Sequence, residues 1–143
     1  MKKILFVLLA TALACSVYAD TESPLHGEWT MTSMIYRGAE VPPLNPNLNL
    51  RWSFYENGTE RLYWSRLNEP GFCERFANYK VSDGRLLEKV FAVNPLNNRE
   101  CLQDPDMQLG RETVTRIDIQ PQQILLHLAL GDEELIYVLK EVL

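Results

Sequence analysis

Beyond residue 25, apolar and polar positions alternate with a period of two, and turn-forming residues cut the alternation about every ten positions. No segment after Asp20 keeps an apolar stripe at helical spacing for three turns, so the pattern predicts strands. They are expected over 28–37, 48–56, 59–67, 72–81, 85–93, 111–119, 123–130 and 133–141. The clearest has Leu48, Leu50, Trp52 and Phe54 alternating with Asn49, Arg51, Ser53 and Tyr55.

Turn chemistry sets the expected registers. A two-residue Asn57-Gly58 loop would oppose Trp52 to Tyr63. A three-residue loop, with Gly58 in the left-handed position of a bulge, opposes Trp52 to Leu62 and Leu50 to Trp64. Only the second gathers the large apolar side chains on one face, and a one-residue slip would turn them all outward. The same device at Ser82-Asp83-Gly84 opposes Tyr79 to Leu87, Arg75 to Phe91 and Cys73 to Val93. Gly131-Asp132 reads as a two-residue hairpin, pairing Leu128 with Leu135, Leu126 with Tyr137 and Ile124 with Leu139. On these registers Trp52, Trp64, Tyr79, Leu87, Phe91, Leu126 and Tyr137 point inward, with Arg75 and Lys89 among them.

Eight strands joined mostly by tight turns predict an all-β fold, an eight-stranded antiparallel up-and-down barrel, because closure removes the exposed edges. A β-sandwich competes, but the succession of hairpins offers no Greek-key crossing. Such a barrel has room for packed side chains or one small ligand. Successive turns alternate between its ends. Turns 57–58, 82–84 and 120–122 fall at one end, and the connections 38–47, 68–71 and 94–110 fall at the other. Cys73 opens a strand at the loop-rich end and Cys101 lies in the long connection at that same end.

The amino terminus changes the picture of where the chain works. Met1-Lys2-Lys3, the eleven-residue apolar run Ile4–Ala14, interrupted only by Thr11, and Val17-Tyr18-Ala19 have the layout of a bacterial secretory signal peptide cleaved after Ala19. The apolar run is well short of the ~20 residues that span a bilayer. The expected organisation is a signal peptide over 1–19 and one domain over 20–143, periplasmic or secreted. Ala12-Leu13-Ala14-Cys15 resembles a distorted lipobox, so a lipoprotein through Cys15 is the minor alternative. In an oxidising compartment Cys73 and Cys101 are expected to form a disulfide, stabilising by about 3–4 kcal/mol through loop closure.

Within this barrel reading, Leu25-His26-Gly27-Glu28-Trp29 resembles the G-x-W start of the lipocalins and their bacterial lipocalin-like relatives. The resemblance implies an eight-stranded barrel with a large loop after its first strand and a cavity for small, mostly apolar ligands. It also implies that Gly27 and Trp29 plug the closed end under a basic residue, for which Lys140 is the nearest candidate. Asp118-Ile119-Gln120-Pro121 stands where the family carries T-D-Y, so the likeness is to lipocalin-like proteins. A weaker resemblance is to small envelope domains of the META/HslJ type, which also begin with a G-x-W strand. Barrel-shaped periplasmic lysozyme inhibitors are similar in size, signal peptide and disulfide.

The chemistry is sparse. The net charge of −5, with no basic run, excludes a nucleic-acid footprint and disfavours an anionic membrane surface. His26 and His127 are the only histidines, and His127 alternates with Leu126 and Leu128 onto the outer face. There is no G-x-S-x-G, H-E-x-x-H or phosphate-binding glycine loop, and Asp104-Pro105-Asp106 lacks the spaced ligands of a calcium loop. No catalytic residue, metal site or cofactor is expected. Inward Arg75 and Lys89 are costly without an anionic partner. They would meet an acidic amphipathic ligand, pair with Glu60 or another buried carboxylate, or have their heads carried out to solvent by strand twist. The expected function is binding of a small apolar or amphipathic ligand at the loop-rich end, through Trp52, Trp64, Arg75, Tyr79, Leu87, Lys89, Phe91, Leu126 and Tyr137. The alternative is a solid barrel that contacts an envelope protein through the 94–110 loop, as an interaction or inhibitor module.

Overall fold

The computed structural model describes residues 25–143. The signal peptide expected over 1–19, with Cys15, lies outside the described residues. The strands are β1 (Gly27–Tyr36), β2 (Ala39–Val41), β3 (Leu48–Phe54), β4 (Thr59–Arg66), β5 (Phe72–Ser82), β6 (Arg85–Val93), β7 (Glu112–Gln120), β8 (Gln123–Leu130) and β9 (Glu133–Glu141). Leaving β2 aside, each strand pairs antiparallel with the next, and β1 pairs with β9 to close an eight-stranded barrel. β2 is an addition to the expected list. Arg37 and Gly38 both take positive φ, the conformation of a tight primed turn, and fold Ala39–Val41 back against β1.

Two of the three expected registers are those observed. Gly58 takes φ +76°, Trp52 faces Leu62 and Leu50 faces Trp64. Across the last hairpin Leu126 faces Tyr137 and Ile124 faces Leu139. The β5–β6 hairpin differs. Asp83 (φ +51°) and Gly84 (φ +67°) form a two-residue turn with Ser82 opposite Arg85, which shifts the register by one residue. A bulge between Phe76 and Ala77 then places Arg75 opposite Val93. The slip reverses β6: Leu86, Glu88 and Val90 are buried, whereas Leu87, Lys89 and Phe91 lie on the outer face. These last three were expected inside. Both faces of β6 carry apolar side chains, so alternation alone does not choose between them.

The closed end packs around Trp29, whose indole Nε1 donates to the Leu25 carbonyl at 2.8 Å. Lys140 pairs with Thr30 and is exposed, so it does not cover Trp29 as the resemblance implied. Phe54, Leu86, Ile124 and Leu139 fill the interior above.

The wall is incomplete toward the loop-rich end. β7 and β8 pair from Arg116–His127 to Gln120–Gln123 and separate beyond, while β7 continues along β6 and β8 along β9.

Candidate functional site: the loop-rich end of the barrel

The 94–110 connection is an ordered strap. The backbone N–H of Asn94 donates to the Glu74 carbonyl at 3.0 Å and that of Asn98 to the Phe72 carbonyl at 2.9 Å. The side chain of Asn97 brackets the Glu74 backbone, accepting from its N–H at 2.7 Å and donating to its carbonyl at 2.9 Å. The Cys73–Cys101 disulfide, with Cα atoms 5.6 Å apart, fastens the strap to the start of β5. Two short 3-10 turns follow, Arg99–Gln103 and Pro105–Met107. Cys101 and Met107 drop from them into the core. The Asp104 carboxylate caps the second turn, accepting from the Asp106 N–H at 2.9 Å.

The strap covers the barrel mouth and leaves a cavity of about 200 Å³ beneath it. Trp52, Trp64 and Tyr137 line this cavity together with Asp104 and Asp106 of the strap. Burial raises the Tyr137 pKa, and the Asp106 and Asp104 carboxylates push it up further. Arg66 also borders the mouth. It stacks 4.9 Å from the Trp64 ring centroid and pairs with Glu69 at 3.1 Å and Glu100 at 3.7 Å.

A second and larger cavity, about 580 Å³, opens sideways where β7 and β8 part. Thr113–Thr115 and Leu128 form its edges, and Trp52, Arg75, Glu88 and Leu126 form its inner wall. Trp52 and Asp106 border both cavities, so the two lie on opposite sides of these residues.

Arg75 sits deep in the barrel, 3% exposed, between two carboxylates. One guanidinium nitrogen bonds Glu60, and the other bonds Glu88 at 3.0 Å; Glu88 also accepts from the Thr113 hydroxyl at 3.0 Å. Burial drives the Glu60 pKa up, Arg75 pulls it down and Glu88 pushes it up again, leaving it at about 8. One cation cannot neutralise two buried carboxylates, so the trio keeps a proton on Glu60 at neutral pH. Burial works against the charge on Arg75, but Glu60 and Glu88 more than offset this and raise its pKa. The Trp52 indole works to lower the Glu60 pKa, yet its Nε1 falls short of hydrogen-bond geometry, as do Oε2 of Glu60 and Nε of Arg75.

The sequence-predicted residues therefore divide. Trp52, Trp64, Arg75, Leu126 and Tyr137 border the two cavities. Tyr79 packs edge-on against Phe54 and donates its hydroxyl to the Tyr55 carbonyl at 3.1 Å, toward the closed end. Leu87, Lys89 and Phe91 stay outside. Lys89 pairs at 2.7 Å with Glu112 on the surface, so Arg75 and Lys89 do not form a joint cationic site. Glu88 and the Asp104/Asp106 pair were missed as lining residues. The i, i+2 carboxylates around Pro105 were visible, but only the strap's path shows that they overhang the mouth. His127 lies between Asp118 at 2.7 Å and Glu134 at 2.8 Å on the outer wall. Among the described residues no group of His, Cys, Asp and Glu is arranged to hold a metal ion, and no helix is long and apolar enough to cross a membrane.

No family model and no curated protein matches the chain. Among solved structures it is similar to a lipocalin-like protein from Bacteroides uniformis ATCC 8492. The TM-score is 0.56 at 14% identity, over 84% of this chain and 100% of the other. It is also similar to an uncharacterized protein from Bacteroides eggerthii DSM 20697, with a TM-score of 0.50 at 15% identity over 82% and 99% of the two chains. At these identities the likeness establishes the fold.

Proposed function

From this lipocalin-like fold, we propose that the chain is a periplasmic or secreted binding barrel, without catalytic chemistry, that holds a small apolar or amphipathic molecule at its loop-rich end. One observation carries the reading. Two cavities, about 580 and 200 Å³, flank the Trp52 side chain of a barrel whose closed end is packed solid. The mouth cavity has the mainly aromatic and aliphatic lining of a small-molecule pocket, whereas the lateral one is lined as much by polar groups, Arg75, Glu88, Arg111 and Thr113 among them, which would orient a ligand. The two carboxyl groups already bonded to Arg75 speak against a ligand carboxylate in the interior, because the single cation already has Glu88 as its counter-charge and Glu60 competing for it.

Native mass spectrometry of the chain over 20–143, purified gently with its disulfide intact, tests the proposal. The expected result is an adduct that organic solvent removes, or, for a protein emptied in purification, uptake of a fluorescent apolar probe. A bare chain that takes up no such probe refutes it.

A second reading has its own observation. Leu96, Leu102 and Leu109 on the strap are 76, 70 and 68% exposed, an apolar display that suits contact with an envelope protein. Changing all three to serine would abolish partner binding and leave probe uptake intact if this surface is the working one.

A further inference from the structure

The mouth cavity combines two features that the apolar-ligand reading does not use. Its wall is aromatic on several sides: Trp52, Trp64 and Tyr137 come from three different strands and converge on about 200 Å³. Trp52 is 9% exposed, with its indole N–H beside Glu60 in the interior. Its roof is anionic. Asp104 and Asp106 both border the cavity, and among the described residues neither carboxylate has a cation within ion-pair distance. The positive group at the same mouth, Arg66, is held against Trp64 and answered by Glu69 and Glu100. Arg111 borders the lateral cavity and not the mouth. The mouth thus carries two carboxylates without an ion-pair partner beside the rings of Trp52 and Tyr137, while Arg66 already covers one face of Trp64.

Ring faces attract cations through their quadrupoles, and organic ammonium groups tolerate loss of water better than compact metal ions do. We propose that the mouth is a subsite for an organic ammonium group, with the rings of Trp52 and Tyr137 against the cation and Asp104 and Asp106 supplying the counter-charge. This inference rests on the binding-barrel reading and adds the chemical class of the ligand: a cationic amphiphile, or an amine with an apolar tail. The tail would run past Trp52 toward Leu126 and the lateral opening. Rigidity of the strap is part of the argument, because the disulfide and the Asp104 cap hold both carboxylates in place without an ion.

The test compares three probes of one tail length below their micelle concentrations, octyltrimethylammonium, octanol and octyl sulfate, by titration calorimetry on the disulfide-intact protein. The same titrations use a D104N/D106N variant, in which asparagine still accepts the capping hydrogen bond and circular dichroism verifies the fold. The expected result is that the cation binds at least tenfold more tightly than octanol, that the sulfate binds weakest, and that the variant loses the preference while still binding octanol. Equal binding of cation and alcohol, or preference for the sulfate, overturns the ammonium subsite and leaves the binding barrel standing. A preference that survives in the variant overturns the role of the two aspartates. Failure of all three probes overturns the subsite and the binding reading together.

Discussion

Replacing Glu60 by glutamine imitates the protonated carboxyl that the interior favours, and it should change how stability depends on pH more than stability itself. Glu60 is fully buried beside Arg75 and Glu88, with its pKa raised from 4.5 to about 8. Between those two values the unfolded chain has released this proton while the folded chain retains it. Stability therefore falls as pH rises, by about 1.4 kcal/mol per unit. Below pH 4.5 both states hold the proton and the contribution is intact; above about pH 8 both have lost it and the full cost, of order 5 kcal/mol, is incurred. From pH 5.5 to 7.5 the wild-type chain should lose roughly 2–3 kcal/mol through this one group, a large share of the ~5–15 kcal/mol that domains possess. E60Q should match wild type only below about pH 4.5, since the amide oxygen can still accept from the Arg75 guanidinium; it should already exceed wild type by about 1 kcal/mol at pH 5.5 and should lack the further loss at pH 7.5. Urea unfolding at both pH values, followed by tryptophan fluorescence with the disulfide intact, measures both chains. Every other titrating group is common to the two, so the difference isolates Glu60. An identical pH dependence in wild type and E60Q would show that Glu60 holds no proton and would refute the description of the trio.

Three further outcomes follow from the same geometry. R75M removes the cation between two buried carboxylates and should cost about 3–5 kcal/mol in urea unfolding, with part recovered in R75M/E60Q/E88Q. C73A/C101A opens a cross-link spanning 28 residues and should lower stability by about 3–4 kcal/mol, with reductant having no further effect on the variant. K89Q should leave the urea midpoint and ligand uptake unchanged, because Lys89 is on the outer face; a drop in uptake would mean that the β5–β6 register is wrong.

The barrel itself was legible along the chain because its causes are local. Period-two alternation marks a strand with one face in the core, and Asn57-Gly58 and Gly131-Asp132 specify turns whose geometry sets the register of their flanking strands. From those, turn parity alone placed Cys73 and Cys101 at one end of the fold, where the disulfide stands. The misreading at β6 has an equally physical source. Leu86 and Val90 compete with Leu87 and Phe91 for the inner face, and the two-residue Asp83-Gly84 turn decides for the first pair, carrying Glu88 inward where Arg75 binds it. An ion pair between residues 13 positions apart leaves no trace in the hydrophobic pattern. The short β2 was hidden for a related reason, since its three residues form a strand only by adding to β1.

Side-chain alternation and turn stereochemistry specify the fold class, most strand limits and two hairpin registers, and the cysteine count with turn parity specifies the disulfide. Tertiary structure alone decided which charges are buried, where the wall between β7 and β8 opens, and that Asp104 and Asp106 overhang the mouth. Those features depend on distances between segments far apart in the chain, and no local propensity encodes such distances.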